Sequence, residues 1–218
     1  MTRTLVFLLA LTALTLVVFA LWPGIDLAVS HYFYDRGGFI GRDGLERFGR
    51  DFFRMAPFIV LAAFAALYAL RRFGVAVPYA PSGRGLLFLA VTMALGPGLI
   101  VNLGLKDHTH RPRPVHVVEF GGDEEFRPWY RFDGACRKNC SFVSGEAASG
   151  FWMVAPAVLA PPPLRGPAIG VAIAFGVGAS LLRIAFGGHF LSDALLGGLI
   201  SLLVIVIAYR VIRPRGEP

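Results

Sequence analysis

Six apolar runs divide the chain: Thr4–Trp22, Met55–Leu70, Leu86–Leu105, Ala147–Ala160, Ala168–Leu182 and Ala194–Tyr209. The first and third have the roughly 20 residues that a helix needs to cross a bilayer core. The other four run 14 to 16 residues. They cross only by borrowing flanking residues or by lying deep in a bundle. The pattern predicts an all-α fold, a six-transmembrane-helix bundle filling residues 1–218 as a single membrane-embedded domain. Two long loops, Pro23–Arg54 and Lys106–Ser141, then share one face. No polar block is long enough for a second globular domain. The first run follows Arg3, and its apolar core exceeds the 7–15 residues of a signal sequence, so it is expected to remain as an anchor.

Composition agrees with the pattern. The chain is 56% hydrophobic and 16% charged, with a mean hydropathy of +0.63. Soluble domains are about 45–50% apolar and about 25% charged, so the balance points to a membrane protein. The net charge of +7 belongs to loops beside a membrane, and no nucleic-acid partner is expected. An even number of spans puts both termini on one side, together with Arg3, Arg71, Arg72, Arg84, Arg165, Arg210, Arg213 and Arg215, and one acid, Glu217. Counted as bare Lys and Arg, the opposite side is no less basic. The rule that basic loops stay inside has most force in short loops, however, and those on the side of the termini carry almost no acids. The termini are therefore expected in the cytoplasm of a bacterial inner membrane, with the long loops facing the periplasm.

The first long loop mixes Phe33, Tyr34, Phe39, Phe48, Phe52 and Phe53 with Arg36, Arg42, Arg47, Arg50 and Arg54. Rings and cations interleaved in this way suit contact with membrane lipid headgroups, although a solvated loop with a few buried rings fits equally well. The second holds both cysteines, Cys136 and Cys140. An oxidising compartment would let them pair as a disulfide, while a reducing one would leave two thiols.

Candidate chemistry lies where the long loops meet the spans, within residues 106–193. Leu105–Pro114 reads LKDHTHRPRP, Cys140–Trp152 reads CSFVSGEAASGFW, and Leu181–Gly198 reads LLRIAFGGHFLSDALLGG. Lys106, Arg113 and Arg183 supply positive charge from three segments. Ser144 and Gly145 add backbone amides at a helix start, a second kind of anion donor. Three cations and an amide nest exceed what a carboxylate needs and suit a phosphoryl group. Nineteen of the 21 basic residues are arginine, yet a lysine heads this cluster. His189 and Asp193 are four apart and share a helix face. A carboxylate there can fix one ring nitrogen and leave the other as a nucleophile toward phosphorus.

These residues resemble the type-2 phosphatidic acid phosphatase superfamily, whose signature is K-x6-R-P, P-S-G-H and S-R-x5-H-x3-D. Lys106, Arg113 and Pro114 match the first motif. Arg183, His189 and Asp193 match the spacing of the third, with Leu182 in place of serine. The resemblance covers roughly half the chain. It implies a membrane lipid phosphatase that works without a metal or other cofactor. His189 would be the nucleophile that forms a phosphohistidine, and Asp193 its orienting partner. Lys106, Arg113 and Arg183 would form the phosphate clamp, with Ser144 and Gly145 binding phosphate oxygens.

The second motif departs from the family, with Val143 for proline and Glu146 for histidine. The family histidine is the general acid. Glu146 is expected either to replace it or to order the clamp while a good leaving group departs unaided. Hydrolysis of a phosphate monoester or pyrophosphate is the expected reaction. The candidate substrates are undecaprenyl pyrophosphate, phosphatidylglycerophosphate, phosphatidic acid and lipid A. The alternatives are a lipid phosphotransferase of the same fold and, in a different class, an anion transporter. A transporter would be expected to spread its cations along a path instead of gathering them at one face.

Overall fold

In the computed structural model, the described residues are 2–40, 45–106 and 108–214. Arg42, Arg215 and Glu217 lie outside them, and the side chain of Arg47 is likewise not described. Among the described residues, five helices are long and apolar enough to span a membrane. They are α1 (Thr2–Leu21), α3 (Leu45–Arg72), α4 (Gly83–Leu105), α7 (Pro162–Ala185) and α8 (Leu191–Ile212). The chain is multi-pass. A short helix, α2 (Gly24–Tyr32), follows α1 and leads to a two-residue hairpin, Tyr34–Asp35 against Gly38–Phe39.

The fourth expected run is divided in two, α5 (Gly145–Trp152) and α6 (Val154–Leu159). Pro156 lacks the N–H that would donate back to Trp152, and Met153 N instead donates to Gly150 O at 3.2 Å, which tightens the turn. The pair still runs the length of the bundle. Ser144 stands at the end occupied by His189, whereas Leu159 and Pro161 line a cavity at the opposite end with Ser82 and Pro214. There Ser82 Oγ donates to Pro214 O at 3.0 Å and Arg84 Nε to Ile212 O at 2.9 Å. The chain ends of α3, α6 and α8 and the chain starts of α4 and α7 meet at that end.

Surface and core are arranged for lipid. Val6, Phe7, Leu9, Leu14 and Val17 of α1 and Phe52, Phe58 and Ile59 of α3 are exposed, and water-facing helices do not carry apolar stripes of this kind. The interior packs Trp152 against Phe88 and Leu89. The one polar atom of the Trp152 indole is satisfied, because Nε1 donates to Thr92 Oγ1 at 2.9 Å.

Candidate active site

Four segments deliver the chemistry to one end of the bundle. In the last part of α4, Ala94–Leu105, hydrogen bonds run five residues back, and Lys106 N continues them to Val101 O at 3.1 Å. Wide turns of this kind rotate the following residue relative to an ordinary helix. Lys106 thereby faces the start of α5, where a Cβ added to Gly145 would stand 3.4 Å from Lys106 Nζ and 2.7 Å from Asn102 Oδ1. Glycine at 145 keeps that approach open.

Ser144 caps α5, its Oγ accepting from Ala147 N at 3.2 Å, while its own N donates to Asp193 O at 3.0 Å. The hydroxyl oxygen is therefore used locally, and its proton remains for an anion. Arg113 lies in the loop after α4. It donates to Asn139 O at 2.8 Å, Asn139 Oδ1 at 3.0 Å and Gly188 O at 3.3 Å. Burial and the neighbouring Arg183 push the Arg113 guanidinium down to about 10. A phosphate arriving between the two arginines would relieve that repulsion.

Arg183 ends α7 and is buried. A Cβ on Gly188 would lie 2.3 Å from its Nη2, and Gly187 has φ +62°. The two glycines thus allow the turn that folds residue 189 back over Arg183. Arg183 Nε lies 2.7 Å from Glu146 Oε2, and Arg50 Nε, from α3, donates to Glu146 Oε1 at 3.3 Å.

His189 sits in the turn between α7 and α8 and is wholly buried. Its Nδ1 meets Ser141 O at 2.7 Å. A carbonyl only accepts, so Nδ1 carries the proton and Nε2 is the bare nitrogen. Nε2 has no hydrogen-bond partner among the described residues and stands 3.8 Å from Glu146 Oε2. Burial pushes the imidazole down to about 3. Glu146 opposes that shift, while Arg113, Arg183 and Lys106 add to it. A neutral ring with one aimed lone pair is what nucleophilic attack requires.

Asp193 does not bond the ring directly. The closest approach is 3.9 Å, from Oδ2 to His189 Nδ1. Its Oδ2 accepts from Ser141 Oγ at 2.5 Å and from Phe190 N at 2.9 Å. Oδ1 accepts from Arg111 Nη1 at 2.5 Å. Arg111 is fully buried, stacks 4.5 Å from the centroid of Phe190, and also bonds Asp26 Oδ2 of α2 at 2.7 Å. Asp26 in turn accepts from Ser192 N and Ser192 Oγ at 2.8 and 2.6 Å.

Arg111, Asp26 and Ser141 belong to none of the sequence motifs. The available signal was an aspartate inside the apolar α2 segment and a second arginine in HRPRP. Cys136 and Cys140 form a disulfide that closes a loop around Asn139, and His110 Nδ1 lies 2.9 Å from Cys136 O.

Lys106, Arg113, Ser144, Gly145, Glu146, Arg183, His189 and Asp193 thus come together, with four cations counting Arg50. Among the described residues, no group of three His, Cys, Asp or Glu side chains is placed to hold a metal. Three curated relatives match nearly the whole chain. The lipid A 4'-phosphatase of Francisella tularensis subsp. novicida (strain U112) is 34% identical over 205 residues, covering 92% of each chain. That of Rhizobium leguminosarum is 34% identical over 204 residues, covering 87% of this chain and 88% of its own. That of Rhizobium etli (strain ATCC 51251 / DSM 11541 / JCM 21823 / NBRC 15573 / CFN 42) is 36% identical over 206 residues, covering 87% of this chain and 79% of its own. No solved structure matches. The family model of the PAP2 superfamily matches residues 85–217, the stretch that carries every motif above, and the chain belongs to that superfamily.

Proposed function

We propose that this membrane lipid phosphatase removes the 4′-phosphate of lipid A through a phosphohistidine on His189. The observation that carries the chemistry is the lone pair on His189 Nε2, buried without a hydrogen-bond partner among the described residues and in the field of Lys106, Arg113 and Arg183. The choice of lipid A among the four lipid candidates is supported by the names of the relatives.

In the first step Nε2 attacks phosphorus and the phosphorus–oxygen bond to the lipid breaks. The departing oxygen takes a proton from Glu146. In the second step water attacks the phosphohistidine, gives its proton to the Glu146 carboxylate and releases inorganic phosphate. A phosphate dianion in the clamp cancels the field of the surrounding cations, so Glu146 can carry the proton it must donate. The clamp meets the charge that spreads over the equatorial oxygens in the transition state.

The proposed placement is six crossings in a bacterial inner membrane, with α5 and α6 together making the fourth, and the site at the periplasmic face. In support, Arg71, Arg72, Arg84, Arg165, Arg210 and Arg213 sit near the ends of helices remote from the site, as the preference for basic short loops inside would have it.

The test is phosphate release from lipid A by the purified protein, with mass spectrometry of the product and His189→Ala as control. Loss of phosphate from position 4′, abolished in the variant, is expected. Release from undecaprenyl pyrophosphate or phosphatidic acid but not lipid A would overturn the substrate, and phosphorylated acceptor lipid in place of free phosphate would favour a phosphotransferase. A reporter enzyme fused after Pro218 and active only in the periplasm should be silent.

A further inference from the structure

The carboxylate of Glu146 stands where a substrate phosphate has to sit. Its Oε2 is 2.7 Å from Arg183 Nε and 3.8 Å from His189 Nε2. Attack on phosphorus needs the reacting atoms roughly 3–3.5 Å apart, with the phosphate oxygens on the same cations that now face the carboxylate. Two anions cannot share that ring, because like charges at contact distance repel strongly where water is scarce. An empty ring would be costly too, since buried cations without a counter-ion carry a large desolvation penalty. Glu146 removes that penalty in the resting protein.

Arg183 and His189 are buried, so they cannot follow Glu146 out of the site. Arg50 can. It lies near the start of α3, its side chain is 44% exposed against 13% for that of Glu146, and it already holds Oε1 at 3.3 Å. It belongs to none of the three signature motifs. Its neighbour one turn on, Arg54, is paired with Asp51 at 3.1 Å on the same helix. A phosphate gives Arg183 a better, bidentate partner than a single carboxylate oxygen, which leaves Arg50 as the counter-ion to which Glu146 can turn.

We propose that Glu146 is an intramolecular occupant of the phosphate site, and that Arg50 is the positioning residue that draws it aside when phosphate enters. This rests on the phosphatase reading of the same site. Exchange of one anion for another keeps the cations compensated throughout the cycle. The displaced carboxylate rests on Arg50 until the bound phosphate dianion raises its proton affinity, and it then takes up the proton that it donates in the proposed reaction. Its return as the product departs weakens the hold on inorganic phosphate. The apparent affinity for phosphate is then lower than the intrinsic one by the fraction of molecules whose site Glu146 has vacated.

The test is calorimetric titration of inorganic phosphate into the purified full chain in detergent. Glu146→Gln should bind phosphate about tenfold more tightly than the parent, because the competitor's charge is gone. Arg50→Gln should bind about three- to tenfold more weakly, and Arg50→Lys should recover most of that loss. The variant carrying both Gln substitutions should bind like Glu146→Gln within about twofold, since Arg50 acts only through Glu146. Glu146→His carries the same expectation as Glu146→Gln should that variant fail to fold. Unchanged or weaker binding by Glu146→Gln would overturn the occupant. A loss from Arg50→Gln that persists in the double variant would make Arg50 a direct phosphate ligand and overturn its positioning role. Phosphate is the common product of every ester in question, so these outcomes stand apart from whether lipid A is hydrolysed.

Discussion

His189 Nδ1 donates to the main-chain oxygen of Ser141 at 2.7 Å, and Ser141 in turn donates through its hydroxyl to Asp193. Asp193 therefore reaches the imidazole through Ser141, with its other oxygen on Arg111. The tautomer is set by a carbonyl that cannot change its charge, and Asp193 holds the loop segment that presents that carbonyl.

His189→Ala should lower turnover at least about 10⁴-fold, as removal of a nucleophile does elsewhere. Asp193→Asn should instead act through structure, lowering both turnover and the unfolding temperature in detergent. Parent-like unfolding of Asp193→Asn with turnover as low as that of His189→Ala would argue for a direct carboxylate–imidazole pair in the working enzyme.

Arg111 compensates two buried carboxylates, Asp26 and Asp193. Arg111→Met strands both and should cost about 3–5 kcal/mol of stability. Pairing it with Asp26→Asn should recover part of that loss. Thermal unfolding followed by tryptophan fluorescence measures it, and a single variant as stable as the parent would show that the network is not what fixes α2 to α8.

The His189 imidazole is held down to about 3 by burial, whereas an unfolded chain binds its proton near pH 6.5. Between those limits the unfolded state carries more protons, so stability rises with pH through that window. The contribution is fully present above about pH 6.5 and is lost as pH falls toward 3. His189→Gln should flatten that part of the unfolding-temperature profile. The acid limb of turnover measured above pH 5 should belong to another group.

The Cys136–Cys140 disulfide encloses Asn139, whose φ is +53° and whose carbonyl and side-chain oxygens hold Arg113. Changing both cysteines to serine should loosen that hold. A hydrogen bond is worth about 1 kcal/mol net, so KM for the lipid should rise about fivefold with kcat nearly unchanged. Parent-like KM would show that Asn139 keeps its place without the bridge.

Much of the site was legible because its motifs are local. The spacings of Lys106 to Arg113 and Arg183 to Asp193 survive as written, and each falls at the end of an apolar run. In the sequence Arg50 is one of several loop arginines, and nothing in its neighbourhood marks it as facing Glu146, 96 residues on. The divided fourth run was harder still. Pro156 is visible in the sequence, but whether a proline kinks or splits a helix depends on what packs there.

By itself the sequence determined that this chain lives in a membrane as a multi-pass protein of the PAP2 superfamily, and which side chains are candidates to bind a phosphate and attack it. Those follow from hydropathy and residue chemistry, which are additive along the chain. Only the tertiary structure decided that Ser141 stands between Asp193 and His189, that Arg111 bridges Asp193 to Asp26, and that Glu146 lies against Arg183 and Arg50. Such pairings join segments up to 167 positions apart, from Asp26 to Asp193 through Arg111, and depend on how helices pack, which no local spacing encodes.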